Sequence, residues 1–420
     1  MGFDALFNDT SGNDNTAIGF EALHDNTISS FNTATGVWAL KQNNGGENNT
    51  ADGWSALVSN TTGGGNTATG LQALELNTTG SQNTATGVDA LEHNNGDFNT
   101  ATGWQALDMN TTGNRNTAIG SYSLLLNLTG GDNTAVGYLA LRSNTTGNQN
   151  TASGTEALRT NTTGFQNTAT GAFALHNGEG DTGGNNNNTA SGYQALYSNT
   201  EGFQNTATGA FALYANTGSA GGSVTGAYNT ANGMSALYNN TTGNNNVASG
   251  VGALDNNTTG SFNIVLGQYA GFNLSTGNNN IDIGNFGVAG ESNTIRIGFP
   301  VAVTPASGVA GQAHTATFIA GINGVDASAG VPVYILSTGQ LGTGPALSIS
   351  SSKQQNEATI AELKSILAKQ EATIAQLKSA VAQQQREFTA QLKKQNAKIQ
   401  QVNDKVELSK PAPTTVGNNQ

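Results

Sequence analysis

Four histidines, His24, His93, His176 and His314, are the residues best suited to acid–base or metal chemistry, and each stands alone in the sequence. None falls in a His-Glu-x-x-His run, and neither a Walker A loop nor a Gly-x-Ser-x-Gly elbow occurs. The chain has no cysteine, which removes disulfides and thiolate metal ligands. The aspartates lack the spacing of a calcium loop. Glycines in "TTGGGN" (61–66) and "NTGSAGGS" (216–223) read as turn residues rather than phosphate cradles. The expectation is therefore a non-enzyme with no catalytic residue, no cofactor and no metal site, its histidines exposed in loops. Two polar patterns remain. The many Asn-x-Thr sequons are by-products of a repeat. Thr-Ala-Thr triplets such as Thr33-Ala34-Thr35 and Thr67-Ala68-Thr69 suggest a flat ice-binding ladder, but Ile, Ser, Val or Asp often takes the third place and breaks it.

The repeat organises everything else. "NTATGWQALDMNTTGNR" (99–115) is followed at once by "NTAIGSYSLLLNLTGGD" (116–132). The kernel Asn-Thr-Ala-x-Gly recurs from Asn15 to Asn229, with looser copies at Asn246, Asn263, Asn280 and Asn293. Most steps are 17 residues, with exceptions of 16 (83 to 99), 21 (167 to 188), 24 (205 to 229) and 13 at the end. A fixed short period marks a solenoid. Several Gly, Asn and Thr per unit disfavour helix, and the alternation in the kernel places Ala on one face and Thr and x on the other. The reading is two short strands and two turns per unit, with the Asn-Thr-Thr-Gly corners in water. The inner wall is built from Ala39, Leu40, Ala56, Leu57, Ala106, Leu107, Ala174, Leu175 and their equivalents. So thin a coil buries little area, so the apolar row after the kernel Gly, including Trp54, Trp104 and Tyr138, is expected to pack against other chains.

Charge narrows the partners. The formal net charge is −12, and the stretch Lys353–Lys410 holds 10 of the 15 basic residues and 6 of the 27 acidic ones. The rest of the chain keeps only Lys41, Arg115, Arg142, Arg159 and Arg296 as cations. That surface cannot neutralise many phosphates, so no nucleic-acid partner is expected. No apolar run is long enough for a transmembrane helix. The N-terminus has no signal-peptide pattern and opens in mid-repeat, Gly2-Phe3-Asp4-Ala5-Leu6 matching Gly19-Phe20-Glu21-Ala22-Leu23, which suggests a fragment.

The run of "NTAxGxxAL…NTTG" units, with "NTAIG", "NTAVG" and "NTASG" variants, resembles the head repeats of YadA-like trimeric autotransporter adhesins over residues 2 to 298. The resemblance implies a left-handed parallel β-roll, three chains side by side, and a neck and coiled-coil stalk behind them. It also implies a cell-surface or extracellular location and an adhesive role toward a receptor that the sequence does not name. Units here are longer than usual for the family, and its signal sequence and membrane barrel are missing. A phage or virus-like tail fibre shares fold and valency, and a ligand-free spacer is the third reading. The irregular loops at 177–187 and 215–228 are candidate receptor contacts.

All six prolines lie beyond Phe299. Residues 299–352 read as a small β junction with apolar runs at 315–322 and 331–336. From 353 to 408 the pattern is helical. Ile360, Leu367, Ile374 and Val381 fall seven apart with Leu363 and Leu377 between them; after a slip, Leu392, Ile399, Val402 and Val406 continue the seam. This predicts a coiled-coil stalk with one stutter. Ile at a with Leu at d favours a dimer, Gln370, Gln384 and Gln395 blur that preference, and the resemblance favours a homotrimer. Residues 409–420 form a polar tail.

Overall fold

The computed structural model describes residues 2–178, 186–218, 225–298, 333–335, 341–343 and 352–408; beyond 298, side chains are described for 360–404. The histidine His314, the side chain of Val406, most of the expected junction and the tail lie outside the described residues. So do the tips of both irregular loops. The chain divides into two units, Met1–Ala320 and Gly321–Gln420.

The first unit is a parallel β-solenoid. Its 17 strands run from β1 (Thr16–Ile18) to β17 (Ile295–Ile297) in chain order, each three residues long and paired with the strands of the neighbouring rungs. Every pairing superposes kernel on kernel, as in Thr100↔Thr117 and Ala101↔Ala118. The longer units do not disturb this register, since Thr168 pairs with Thr189 and Thr206 with Thr230.

Inside the coil sit the strand alanines from Ala17 to Ala248 and the Ala-Leu pairs that follow most of them. Ala39, Leu40, Ala56, Leu57, Ala106, Leu107, Ala174 and Leu175 are all fully buried. The second expected strand is replaced by turns. Only the kernel is extended, and the x-x-Ala-Leu segment is a run of turns in which Gln105 and Leu107 both take left-handed φ, 52° and 55°. An i→i+3 bond from the Ala106 N–H to the Gly103 carbonyl (3.4 Å) closes the first turn, while the Leu107 N–H reaches the next rung at Ser123 (2.9 Å). A left-handed leucine costs roughly 1–2 kcal/mol, and the stacked neighbours above and below hold it there. The kernel glycine is fixed more simply. Gly103 has φ 135°, and a Cβ on it would lie 2.7 Å from the Gly120 backbone.

A second correction concerns the corners. In each Asn-Thr-Thr-Gly the threonines face outward, but the asparagine is fully buried: Asn60, Asn77 and Asn110 have no accessible surface. The kernel asparagines from Asn32 to Asn280 are buried as well, and the two sets form hydrogen-bonded ladders along the axis. In the kernel ladder, the Asn116 N–H donates to the Asn99 side-chain oxygen (2.9 Å), and the Asn116 amide donates to the Gly130 carbonyl (2.8 Å). This ladder is continuous from Asn15 to Asn280, where it ends on the Thr294 N–H (3.1 Å). In the corner ladder, Asn127 Nδ2 donates to Asn110 Oδ1 (2.7 Å) and to the Gly130 carbonyl (2.9 Å). It breaks twice, and the sequence says why. Asn161 Oδ1 and Asn257 Oδ1 are buried without partners, because the next rungs carry Gly178 and Leu274 in place of asparagine.

In the second unit, Val333–Ile335 (β18) pairs antiparallel with Leu341–Thr343 (β19). One helix, α1, spans Ser352–Leu408. Among the described residues no helix is long and apolar enough to cross a membrane.

Candidate functional site

In a solenoid, residues one unit apart in sequence become neighbours in space, so any site must be read as columns. Three columns stand out. The first lies on the outer face of the strands, where an unbroken row of threonine runs from Thr16 to Thr230 and continues as Val247, Ile264, Ile281 and Ile295.

The second column is the residue after the kernel Gly. It runs Phe20, Val37, Trp54, Leu71, Val88 and Trp104 and continues to Gln268 without a single charged residue. The expected intersubunit residues Trp54 (42%), Trp104 (51%) and Tyr138 (48%) are exposed in the single chain. They are held in place by the adjacent column. Trp38 lies 5.5 Å from Trp54, and Tyr122 lies 4.8 Å from Trp104 and 6.3 Å from Tyr138, all at tilted or edge-on angles. Such ring pairs keep the stripe rigid.

The third column is the residue after each Ala-Leu pair, and here the chain concentrates its chemistry. From Lys41 onward it reads Lys, Val, Glu75, Glu92, Asp108, Leu125, Arg142, Arg159, His176, Tyr197, Tyr214, Tyr238, Asp255. Three of the five cations of the first 299 residues are in it. Lys41 pairs with Glu21 at 2.5 Å and stands 5.9 Å from the Trp38 ring centroid. Further along, the rings of His176, Tyr197, Tyr214 and Tyr238 form a continuous stack, 5.0, 5.3 and 5.0 Å between centroids.

The histidines depart from expectation. His176 is buried, stacked on Tyr197 and held by Glu156 (3.0 Å) and Asn177 (2.8 Å). His24 and His93 are half-buried, with Nδ1 on Asp25 (2.6 Å) and on Asp108 (3.0 Å). The densest titratable group is Glu92, His93 and Asp108, whose ligating atoms lie within 4.8 Å of one another. Burial raises the Glu92 carboxyl above its ordinary range, and neighbouring Asp108 adds to it. Burial also raises Asp108, against the opposing hydrogen bond from His93. Three donors could hold a cation with an open coordination position, but too few converge for a closed structural site. The sequence analysis missed this group, since Glu92 and Asp108 are 16 residues apart; aligning the rungs and reading down the position after Ala-Leu reveals it.

At the C-terminal end of the solenoid, β16 (Ile281–Ile283) carries Asp282 in the column that holds Ala from Ala17 to Ala248. Asp282 is fully buried, and neither carboxylate oxygen has a hydrogen-bond partner. Burial foremost, and the charge of Glu291 next, push its carboxyl up to about 7, with Arg296 pulling the other way. Arg296 faces Asp282 across the ladder but spends its guanidinium on Glu291, at 2.7 and 2.9 Å.

The expected seam of α1 lies along one helix, with Ile360, Leu363, Leu367, Ile374, Leu377, Val381, Leu392, Ile399 and Val402 all exposed. Neither the models of known protein families nor the curated proteins give a match to this chain.

Proposed function

We propose that this chain is a structural, adhesive fibre subunit of the YadA-like kind. Its solenoid is a head that associates side by side as a homotrimer on a coiled-coil stalk formed by α1, displayed at a cell surface. The role is mechanical and recognitive rather than catalytic. The observation that carries the reading is the charge-free column after the kernel Gly, whose large apolar members Phe20, Trp54, Trp104 and Tyr138 are exposed. Large exposed apolar stripes of this kind mark interaction surfaces. Chains packed in parallel and in register bring each rung against its own equivalent, and only a column without charge tolerates that. The exposed seam of α1 needs the same remedy, since a helix that leaves Ile360, Leu367 and Ile374 in water gains by pairing them. Multivalent display then turns weak single contacts into firm attachment.

Two measurements test this. The mass of the full chain in solution should be three times that of one chain. Trp104→Asp should shift it toward monomer at a given concentration while the far-ultraviolet spectrum keeps its β character. A parent that sediments as a monomer, or a Trp104→Asp chain that associates as the parent does, would sink the side-by-side head. Separately, residues 360–408 as a peptide should be helical and self-associated, with helicity rising with concentration. A peptide that stays unfolded at high concentration removes the stalk.

A further inference from the structure

The group formed by Glu92, His93 and Asp108 is set by the backbone ladder. The His93 N–H donates to the Asp108 carbonyl at 2.8 Å, and the Leu76 N–H donates to the Glu92 carbonyl at 2.8 Å. Glu92 and His93 therefore lie side by side on one rung, and Asp108 lies on the next. One ligating atom from each residue comes within 4.8 Å of the other two, and His93 Nδ1 stands 3.0 Å from Asp108 Oδ1. We propose that these three side chains bind a zinc(II) ion, with water completing its coordination, and that the ion staples the two rungs together.

The group has unused ligand capacity. The Asp108 side chain is only 9% exposed, and of its two oxygens only Oδ1 has a partner among the described residues, the His93 ring. The Glu92 side chain is 20% exposed, and its nearest polar partner is His93 Nε2 at 4.0 Å, beyond hydrogen-bond reach. The group also lacks a cation. Elsewhere on the solenoid half-buried glutamates are answered by one, Glu21 by Lys41, Glu156 by Arg159 and Glu291 by Arg296. Neither Glu92 nor Asp108 pairs with Lys or Arg among the described residues, and Asp89 and Glu75 bring further negative charge to Glu92. The position matters as well. The step from Asn83 to Asn99 is the one of 16 residues, and the shortened corner follows His93 directly. There Asn94 Nδ2 reaches the Gly96 carbonyl, two residues on, where Asn110 reaches Gly113, three residues on. The ion spans this irregular joint. An imidazole nitrogen with two carboxylate oxygens suits zinc better than calcium or magnesium, which prefer oxygen throughout. Tetrahedral zinc bonds of about 2.0–2.2 Å place donors roughly 3.3–3.5 Å apart, so the side chains need close by about 1.5 Å at most. The ion takes over the contact between His93 and Asp108, and the imidazole keeps its proton on the other ring nitrogen. The inference rests on neither the adhesive nor the three-fold reading.

The test titrates zinc chloride into the untagged full chain, first stripped with a chelator, and follows the heat. One ion per chain should bind at neutral pH, with a Kd of about 10 µM or tighter. Zinc should slow hydrogen exchange at residues 91–109 and leave residues 206–232 unchanged, because each rung bonds only to its neighbours. His93→Ala, Glu92→Gln and Asp108→Asn should each weaken binding by about tenfold or more. His24→Ala alters a His-Asp pair outside the group and should bind zinc as the parent does. Should the His93 or Asp108 variant shift the melting temperature, Glu92→Gln alone decides, since it keeps the side chain's shape and removes only its charge. A parent that takes up no zinc at about 100 µM overturns the proposal. So does a folded Glu92→Gln chain that binds zinc like the parent, or calcium that displaces zinc at equal concentration. Protection by zinc that appears at distant rungs and not at residues 91–109 is equally fatal.

Discussion

Asn116→Ala should cost the solenoid roughly 2–4 kcal/mol, although asparagine in a loop-rich chain is ordinarily replaceable. The figure follows from what the side chain holds. Its oxygen accepts the Asn133 N–H at 3.0 Å, and its amide donates to the Gly130 carbonyl at 2.8 Å. Alanine leaves the Asn133 N–H buried without a partner, at about 1–3 kcal/mol, and removes one of the two donors to the Gly130 carbonyl, which keeps Asn127 Nδ2 at 2.9 Å, at about 1 kcal/mol more. Thr67→Ala is the matched control, since Thr67 lies on the exposed strand face and its change should stay within about 0.5 kcal/mol. Chemical denaturation followed by circular dichroism measures both. Because each rung bonds only to its neighbours, hydrogen exchange should report the loss first at the rungs of Asn99 and Asn133. An Asn116→Ala chain as stable as the control would mean that the ladders are incidental to the coil.

How far this could be read from residues alone differs by column. The kernel period announced the parallel ladder, and the alternation in Thr100-Ala101-Thr102 (β6) placed Ala101 inside, as it is. The Ala-Leu inner wall was equally legible, because Leu107 and its equivalents have no other apolar destination. The asparagine ladders were not, for a physical reason. Asn is a surface and turn residue by default, and only stacking at a fixed rung spacing lets one amide satisfy the next. The turns through Gln105 and Leu107 were hidden likewise, since a left-handed leucine runs against local preference and is imposed by the rungs on either side. The charged column escaped notice because its members never stand within the three or four residues that a helix-based search inspects.

At the N-terminal side Phe3 stacks on Phe20 at 5.9 Å and Phe7 on His24 at 5.3 Å. At the C-terminal side the inner column changes from Ala248 to Val265 and then to Asp282 and Arg296. An interior column that ends in charge cannot accept another apolar rung, which marks where the repeat stops.

Replacing that terminal carboxylate should stabilise the protein. Asp282→Ala is expected to raise stability at pH 8 by up to roughly 4 kcal/mol and to leave it nearly unchanged at pH 4. Asp282 is buried with both oxygens unpartnered, and its carboxyl is pushed from 3.8 to about 7 in the folded chain, mainly by burial. The folded state therefore holds a proton that the unfolded state has released. Below about pH 4 both states are protonated and nothing is lost. As pH rises from there toward 7 the unfolded state ionises alone, and stability falls by about 1.4 kcal/mol per pKa unit of difference. Above about 7 the folded carboxyl ionises too, and the loss levels off. Alanine, the residue of the same column in β6, cannot ionise and needs no partner, so this component of the pH dependence should vanish. Asp282→Asn should flatten the same component while keeping a buried polar group, and so should gain less. Urea titrations of parent and both variants at pH 4, 6 and 8 separate these contributions. If the parent and Asp282→Ala differ by the same amount at all three pH values, the Asp282 carboxyl titrates normally, and the charged end of the coil is solvated rather than buried.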